Sequence, residues 1–179
     1  MRTAILGGAF DPPHLGHVAI AEGALGKLGA DRLLVLVVAN PGHKETDLDA
    51  VTRLELARLA FGDLPNTEVR LDDHPYTVDF LRDERPEDAL FVIGADEWAA
   101  FDTWREPDEV RRLIPLAVAA RPGEAQPEGG VEVFEIDQWP ISSSDLRERL
   151  ARREPVDGLV PIAVAREIER RGLYGRGGG

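Results

Sequence analysis

Short apolar runs alternate with stretches of helical periodicity almost from one end of the chain to the other. The runs Thr3–Leu6, Leu33–Val38, Glu68–Leu71, Leu90–Ile93, Leu116–Ala120 and Val131–Ile136 have the length and composition of strands. Between them, apolar residues recur at helical spacing near 16–29, 50–61, 77–84, 107–114 and 144–153. A last helix is expected to start at Pro161, where the proline ring suits a first helical position, and to stop before Gly172. Strand and helix in regular succession predict βα units around a parallel sheet, and therefore an α/β fold. No internal repeat or long linker interrupts the pattern, so residues 1–174 are read as one domain. The turn-rich segment Pro122–Gly130 is expected to be a surface loop, and 175–179 a disordered tail.

Composition narrows the chemistry. The chain has 179 residues, 43% hydrophobic and 30% charged, ordinary values for a single core, which grows to roughly 250–300 residues before a chain divides. Cysteine is absent, which excludes disulfides, thiolate nucleophiles and zinc sites with sulfur ligands. The N-terminus holds only a short apolar run before its glycines and prolines, and no later stretch approaches the roughly 18–20 apolar residues of a membrane span. A cytoplasmic chain is therefore expected, with no membrane partner. Lys and Arg number 21 against 33 Asp and Glu, a net charge of −12, which opposes broad contact with nucleic acid or anionic lipid. An anionic ligand would need a local basic pocket. Only Lys27 and Lys44 are lysines, so a loop lysine is a candidate to follow.

The first stretch with chemical content is Gly7-Gly8-Ala9-Phe10-Asp11-Pro12-Pro13-His14-Leu15-Gly16-His17, between the first strand and the first helix. Glycines at a strand end let the backbone approach a ligand, and a helix N-terminus offers unpaired N–H groups and a favourable dipole to phosphate. A tight turn with no ligand would use the same glycines. The pattern is not the dinucleotide fingerprint G-x-G-x-x-G, which disfavours a nicotinamide-dependent dehydrogenase. His14 and His17, three residues apart, fall on one helical face with Gly16 between them. They lack a nearby third metal ligand, since His43 and His74 lie in other segments, so phosphate contact is favoured over zinc.

The second stretch is Ile141-Ser142-Ser143-Ser144-Asp145-Leu146-Arg147, ahead of an apolar-periodic helix. Ser142 with Asp145 three residues later reads as a helix start, by simple capping or as an anion site. Arg147 is expected in the first helical turn, where a cation opposes the helix dipole unless an anion sits there.

Together these two stretches resemble the nucleotidyltransferase superfamily, and the chain from Ile5 to Tyr174 is similar to its bacterial nicotinate-nucleotide adenylyltransferase family. Further matching segments run in the same order: His43-Lys44, Tyr76-Thr77, Gly94-Ala95-Asp96, Trp104, Arg121-Pro122-Gly123 and Gly172-Leu173-Tyr174. The resemblance implies a Rossmann-like parallel sheet with helices on both faces. It implies an enzyme that joins ATP and nicotinate mononucleotide, with Mg2+, to give deamido-NAD and pyrophosphate. His14, His17, Lys44 and Arg147 match the catalytic positions that hold the ATP phosphates. Gly8, Ala9, Phe10, Ile141, Ser142, Ser143 and Ser144 match further ATP contacts. Lys44, Thr77, Gly94, Asp96, Trp104 and Arg121 match the acceptor side, with Thr77 and Trp104 at the nicotinate end. Gly42, Pro75 and Phe80 depart from the family's usual residues, and they bear on acceptor choice more than on reaction type.

The residue types suit that reaction. The attacking group in adenylyl transfer is the acceptor's own 5′-phosphate, already an anion, so no nucleophile–base pair is required of the protein. Catalysis reduces to holding two anions in line and stabilising charge as pyrophosphate departs. Alternatives are a sister adenylyltransferase acting on nicotinamide mononucleotide or phosphopantetheine, and a silent nucleotide-binding module. The assembly is open to a homo-oligomer. Trp98 and Trp139 are read as packing residues, Glu97 has no assigned role, and His74 is read as a loop histidine.

Overall fold

The structure is a computed structural model and describes residues 1–123, 127–137 and 141–175. Trp139, residues 124–126 of the expected surface loop and residues 176–179 of the expected tail lie outside the described residues. The strands are β1 (Thr3–Gly8), β2 (Arg32–Val38), β3 (Thr67–Asp72), β4 (Ala89–Gly94), β5 (Leu116–Ala120) and β6 (Glu132–Glu135). All pair in parallel in the order β3-β2-β1-β4-β5-β6. This is the parallel α/β sheet expected from the alternation of runs, in the Rossmann-like form that the family resemblance implies. The central strands are apolar at consecutive positions because both their faces are covered.

The helices are α1 (Leu15–Gly26), α2 (Ala50–Phe61), α3 (Thr77–Glu84), α4 (Ala95–Ala99), α5 (Pro107–Leu113), α6 (Ser143–Ala151) and α7 (Ile162–Arg171). On one face Ala21 and Ala24 of α1 and Leu54, Ala57 and Phe61 of α2 pack on Leu6, Leu33, Val35 and Val92. On the other, Val78, Phe80 and Leu81 of α3 and Val110 of α5 pack on Ile5, Leu34, Phe91 and Val118. A third cluster joins Leu146 of α6 and Val164 and Ile168 of α7 to Leu56 of α2.

Two local expectations are corrected. The first helix ends at Gly26 rather than near 29, because Gly29 adopts a left-handed φ of 65° that no α-helix continues through. The sequence pattern also gave no sign of α4 or of the single 3-10 turn Phe101–Thr103 after it. Both are too short for a periodicity to register, and tertiary contacts hold them: the Phe101 ring is buried and packs on Trp98 and Trp104 at 5.2 and 5.0 Å. Trp98 is thus a packing residue, as expected.

An unanticipated feature ties the sheet to the loops above it. Arg53 of α2 is 1% exposed, and its guanidinium donates to four backbone carbonyls: Leu48 (3.0 Å), Ala9 (2.8 Å), Val38 (2.9 Å) and Ala39 (2.7 Å). These belong to the ends of β1 and β2 and to the loop leading into α2. Arg53→Met fills the volume yet leaves four carbonyls without a donor, so we expect a loss of at least about 3 kcal/mol of folding free energy in urea denaturation. A loss below about 1 kcal/mol would mean that these carbonyls find other partners.

Candidate active site

The strand order reverses between β1 and β4, so the chain leaves their carboxyl ends toward opposite faces and a crevice opens there. Gly7 and Gly8 form its floor. A Cβ on Gly7 would lie 3.1 Å from the Phe91 ring and one on Gly8 3.1 Å from the Phe10 ring, so neither position has room for a side chain without displacement. His14 is the N-cap of α1, its Nδ1 accepting from the Gly16 N–H at 3.1 Å. His17 reciprocates, its Nδ1 accepting from the His14 N–H at 3.1 Å, and the two rings stack with centroids 3.7 Å apart. Burial holds both below the ordinary histidine pKa, to about 4 for His14 and well below 6.5 for His17, which the His14 and Lys44 charges depress further. With Nδ1 accepting and the ring neutral, the proton sits on Nε2. Each histidine is therefore a neutral N–H donor to the crevice rather than a cation.

Phe10 adopts a left-handed φ of 51° and is 2% exposed, its ring set edge-on between His17 at 5.0 Å and Phe61 at 5.3 Å. Its side chain supports His17 from below. Asp11 is buried and accepts from the Tyr174 hydroxyl at 2.6 Å and the Asp47 N–H at 2.7 Å, so the chain's last described turn closes under the histidine loop. Burial and the bond to Asp11 push the Tyr174 pKa upward and keep it a donor.

The opposite wall is the start of α6. Ser142 and Asp145 form the expected capping box, and Ser143 Oγ donates to the Pro12 carbonyl at 2.8 Å, docking this helix on the histidine loop. Arg147 is not in the first turn. It is the fifth residue of α6, where it escapes most of the unfavourable dipole, and it reaches back to donate to the Asp11 carbonyl (2.9 Å) and Ser144 Oγ (3.2 Å) while facing Asp47 at 3.7 Å.

Two cavities meet at the crevice. The larger, about 640 Å³, is lined by Gly8, Ala9, Phe10, His14, His17, Gly94, Arg121, Ile141, Ser142, Ser143, Ser144 and Arg147 among others. The smaller, about 420 Å³, is lined by Tyr76, Thr77, Phe80, Phe91 and Trp104. Gly7, Gly8, Ala9, Lys44, Asp96 and Glu97 line both, so Lys44 stands at their junction. The structure thus gathers every residue singled out as a candidate. Arg121 donates to Asp96 at 3.0 Å. Thr77 opens α3, an end with no side-chain cap, and Trp104 packs edge-on against Phe91 at 6.3 Å. Gly42 lies against Tyr76, where a Cβ would meet the ring at 2.6 Å, so this departure from the family pattern makes room for the tyrosine.

Sequence reading missed Glu97, whose carboxyl is pushed above the usual range by burial while Lys44 opposes that shift. It follows Asp96 directly, and its place at a strand end was the available signal. His74 is more than a loop histidine: Nδ1 lies 2.6 Å from the buried carboxylate of Asp72 and Nε2 lies 3.1 Å from Asp83, and the Asp72 bond raises its pKa. Among the described residues no group of three His, Cys, Asp or Glu is placed to hold a metal. None of the helices there is long and apolar enough to cross a membrane.

The sequence profile of the cytidylyltransferase-like family matches residues 5–149. A Thermus thermophilus protein named as a probable nicotinate-nucleotide adenylyltransferase is 41% identical over 97% of this chain and 100% of its own. One so named from Bordetella avium is 36% identical over 97% of this chain and 98% of its own. The Plasmodium falciparum nicotinic acid mononucleotide adenylyltransferase, solved in complex with NaAD, superposes with a TM-score of 0.82 at 15% identity, covering 97% of each chain, and so shares the fold.

The buried neutral histidine makes folding sensitive to acid. The unfolded chain takes up a proton near pH 6.5 and folded His14 only near pH 4, so its share of stability is intact above 6.5 and falls as pH drops toward 4. At pH 5 the loss is about 2 kcal/mol. His14→Asn keeps an N-cap acceptor but removes the titration. Thermal denaturation at pH 7 and pH 5 should show a smaller acid shift in the variant, and an equal shift would contradict the assignment.

Proposed function

The chain belongs to the cytidylyltransferase-like family and, within it, to the nicotinate-nucleotide adenylyltransferases, and on that premise we propose that it transfers the adenylyl group of ATP to nicotinate mononucleotide, a step of NAD biosynthesis. The observation that carries this reading is the pair of abutting cavities, one built from helix starts and cations, the other aromatic, with Lys44 where they join. A triphosphate suits the first and a pyridine ring the second.

In the reaction a 5′-phosphate oxygen of the acceptor attacks the α-phosphorus of ATP. The new P–O bond forms as the bond to the β-phosphate oxygen breaks, and that electron pair leaves with pyrophosphate. The protein moves no proton. The Nε2–H groups of His14 and His17, the Ser144 hydroxyl and the Arg147 guanidinium hold the triphosphate, while the Ser142 and Ser143 hydroxyls, donating to Asp145 and to the Pro12 carbonyl, hold the start of α6 in place beside it. Lys44, reaching both cavities, supplies positive charge where the two anions approach. Trp104 and the uncapped start of α3 at Thr77 take the pyridine ring, and Arg121 with Asp96 takes a ribose. Magnesium fits as a companion of ATP held mainly by phosphate oxygens, since Mg2+ needs only one or two protein carboxylates, and Asp96 and Glu97 line the junction. When bound it would neutralise triphosphate charge. A cytoplasmic setting, where ATP is at hand, goes with this reading.

Pyrophosphate release from ATP and Mg2+ with each of nicotinate mononucleotide, nicotinamide mononucleotide and phosphopantetheine tests the proposal. The nicotinate compound should give the highest kcat/KM, and turnover only with phosphopantetheine would refute it. His17→Ala should fold and lose roughly 10²–10³ in kcat, the scale for removal of one preorganised donor. Trp104→Ala should weaken acceptor binding about 5- to 150-fold while sparing ATP, as expected for loss of a stacking platform.

A further inference from the structure

The aromatic cavity contains a cation that neither motif nor fold accounts for. Arg105, next to Trp104, lines the cavity with its guanidinium 4.8 Å over the Tyr76 ring. Tyr76 is the N-cap of α3 and immediately precedes Thr77, so the arginine sits over the same uncapped helix end. Its nearest carboxylate is Glu106, and the contact is long, 3.9 Å. Glu106 is already engaged by Arg82 through both oxygens, at 3.2 and 2.5 Å. Within the described residues Arg105 thus makes one ring contact and one weak ion pair, with no hydrogen bond among them.

The guanidinium lies over the ring with its side chain 55% exposed, which leaves its planar fork of N–H donors open to a planar carboxylate. Of the other carboxylates lining this cavity, Asp72 is engaged by His74, accepting from its N–H at 3.1 Å and lying against its ring at 2.6 Å, and Asp96 accepts from Arg121 at 3.0 Å. A pyridine ring lying against Trp104 would present its ring substituent to this edge.

We propose that Arg105 is the residue that selects the acid over the amide form of the acceptor, its guanidinium donating to the ring carboxylate of the bound mononucleotide from its perch on Tyr76. The inference rests on the functional reading above and adds a specificity determinant to it. The amide has no charge for the guanidinium to meet and offers it a single acceptor oxygen, so Arg105 discriminates by charge and by fork geometry together. The backbone donors at Thr77 would then orient the group, and the arginine would supply most of the preference.

Steady-state kinetics and calorimetric binding of both mononucleotides to wild type, Arg105→Gln and Arg105→Lys provide the test. In Arg105→Gln, kcat/KM and affinity for the acid should fall about 10-fold or more, the scale of a charged hydrogen bond, while values for the amide and the KM for ATP hold. Arg105→Lys, keeping charge without the fork, should lie between. An unchanged acid-to-amide ratio in Arg105→Gln, or an equal loss with both acceptors, would overturn the proposal and reduce Arg105 to packing on Tyr76. Failure of wild type to use either mononucleotide would instead overturn the functional reading on which it rests.

Discussion

The crevice opened by the reversal of strand order keeps its shape because a buried cation holds the loops around it in place. Arg53 gathers carbonyls from the ends of two adjacent strands and from the loop that follows the second. Those carbonyls are partly or fully buried, and an apolar side chain at that place would leave them without this donor. Ala9, whose carbonyl is among them, directly precedes the left-handed Phe10 that props His17. One guanidinium therefore fixes the height of the histidine loop above the sheet. From the other side, Tyr174 and Asp47 hold Asp11, and Ser143 and Arg147 hold the carbonyls of Pro12 and Asp11. The short loop between β1 and α1 is thus gripped from α2, α6 and the end of the chain, although it carries little secondary structure of its own.

This bracing has a chemical consequence. A ligand site that must stabilise developing charge works best when its donors are aimed before the ligand arrives, since reorientation during reaction costs free energy. The reciprocal bonds between His14 and His17 spend both Nδ1 atoms on the backbone and leave both Nε2–H groups for the crevice. The histidine spacing alone suggested a shared face. The neutrality of the pair comes from burial, reinforced at His17 by the His14 and Lys44 charges, which no sequence pattern encodes.

The strands and most of the helices were legible in the sequence because buried parallel strands read as continuous apolar runs, and helices keep a 3.6-residue stripe. Alpha4 and the 3-10 turn were not, because elements of five and three residues carry no period. The candidate residues around the crevice were recovered through ordered motifs at strand ends and helix starts. Arg53 was passed over because an arginine counts as polar in any hydropathy pattern, even though it lies three and four residues before the buried Leu56 and Ala57 on the same stripe. The first-turn position expected for Arg147 differs for another reason: the apolar period sets a helix start only to within a residue or so, and α6 begins at Ser143 rather than at 144.

The net charge of −12 remains to be reconciled with a ligand that is itself polyanionic. The resolution lies in how the site's cations are kept. Arg147 faces Asp47 at 3.7 Å, Arg121 meets Asp96 at 3.0 Å, and Lys44 lies near Glu97. Each carboxylate lowers the cost of gathering positive charge in a partly enclosed space, where like charges would otherwise repel. An arriving phosphate can exchange for such a carboxylate, so binding replaces one ion pair by another and does not have to desolvate a bare cation. The Arg147 and Arg121 pairs have half-exposed or exposed acidic partners, so releasing them costs little. Glu97 differs, since burial raises its pKa while Lys44 opposes that shift. Where the two cavities join, burial and the neighbouring Asp96 thus work against the carboxylate charge that would repel a phosphate.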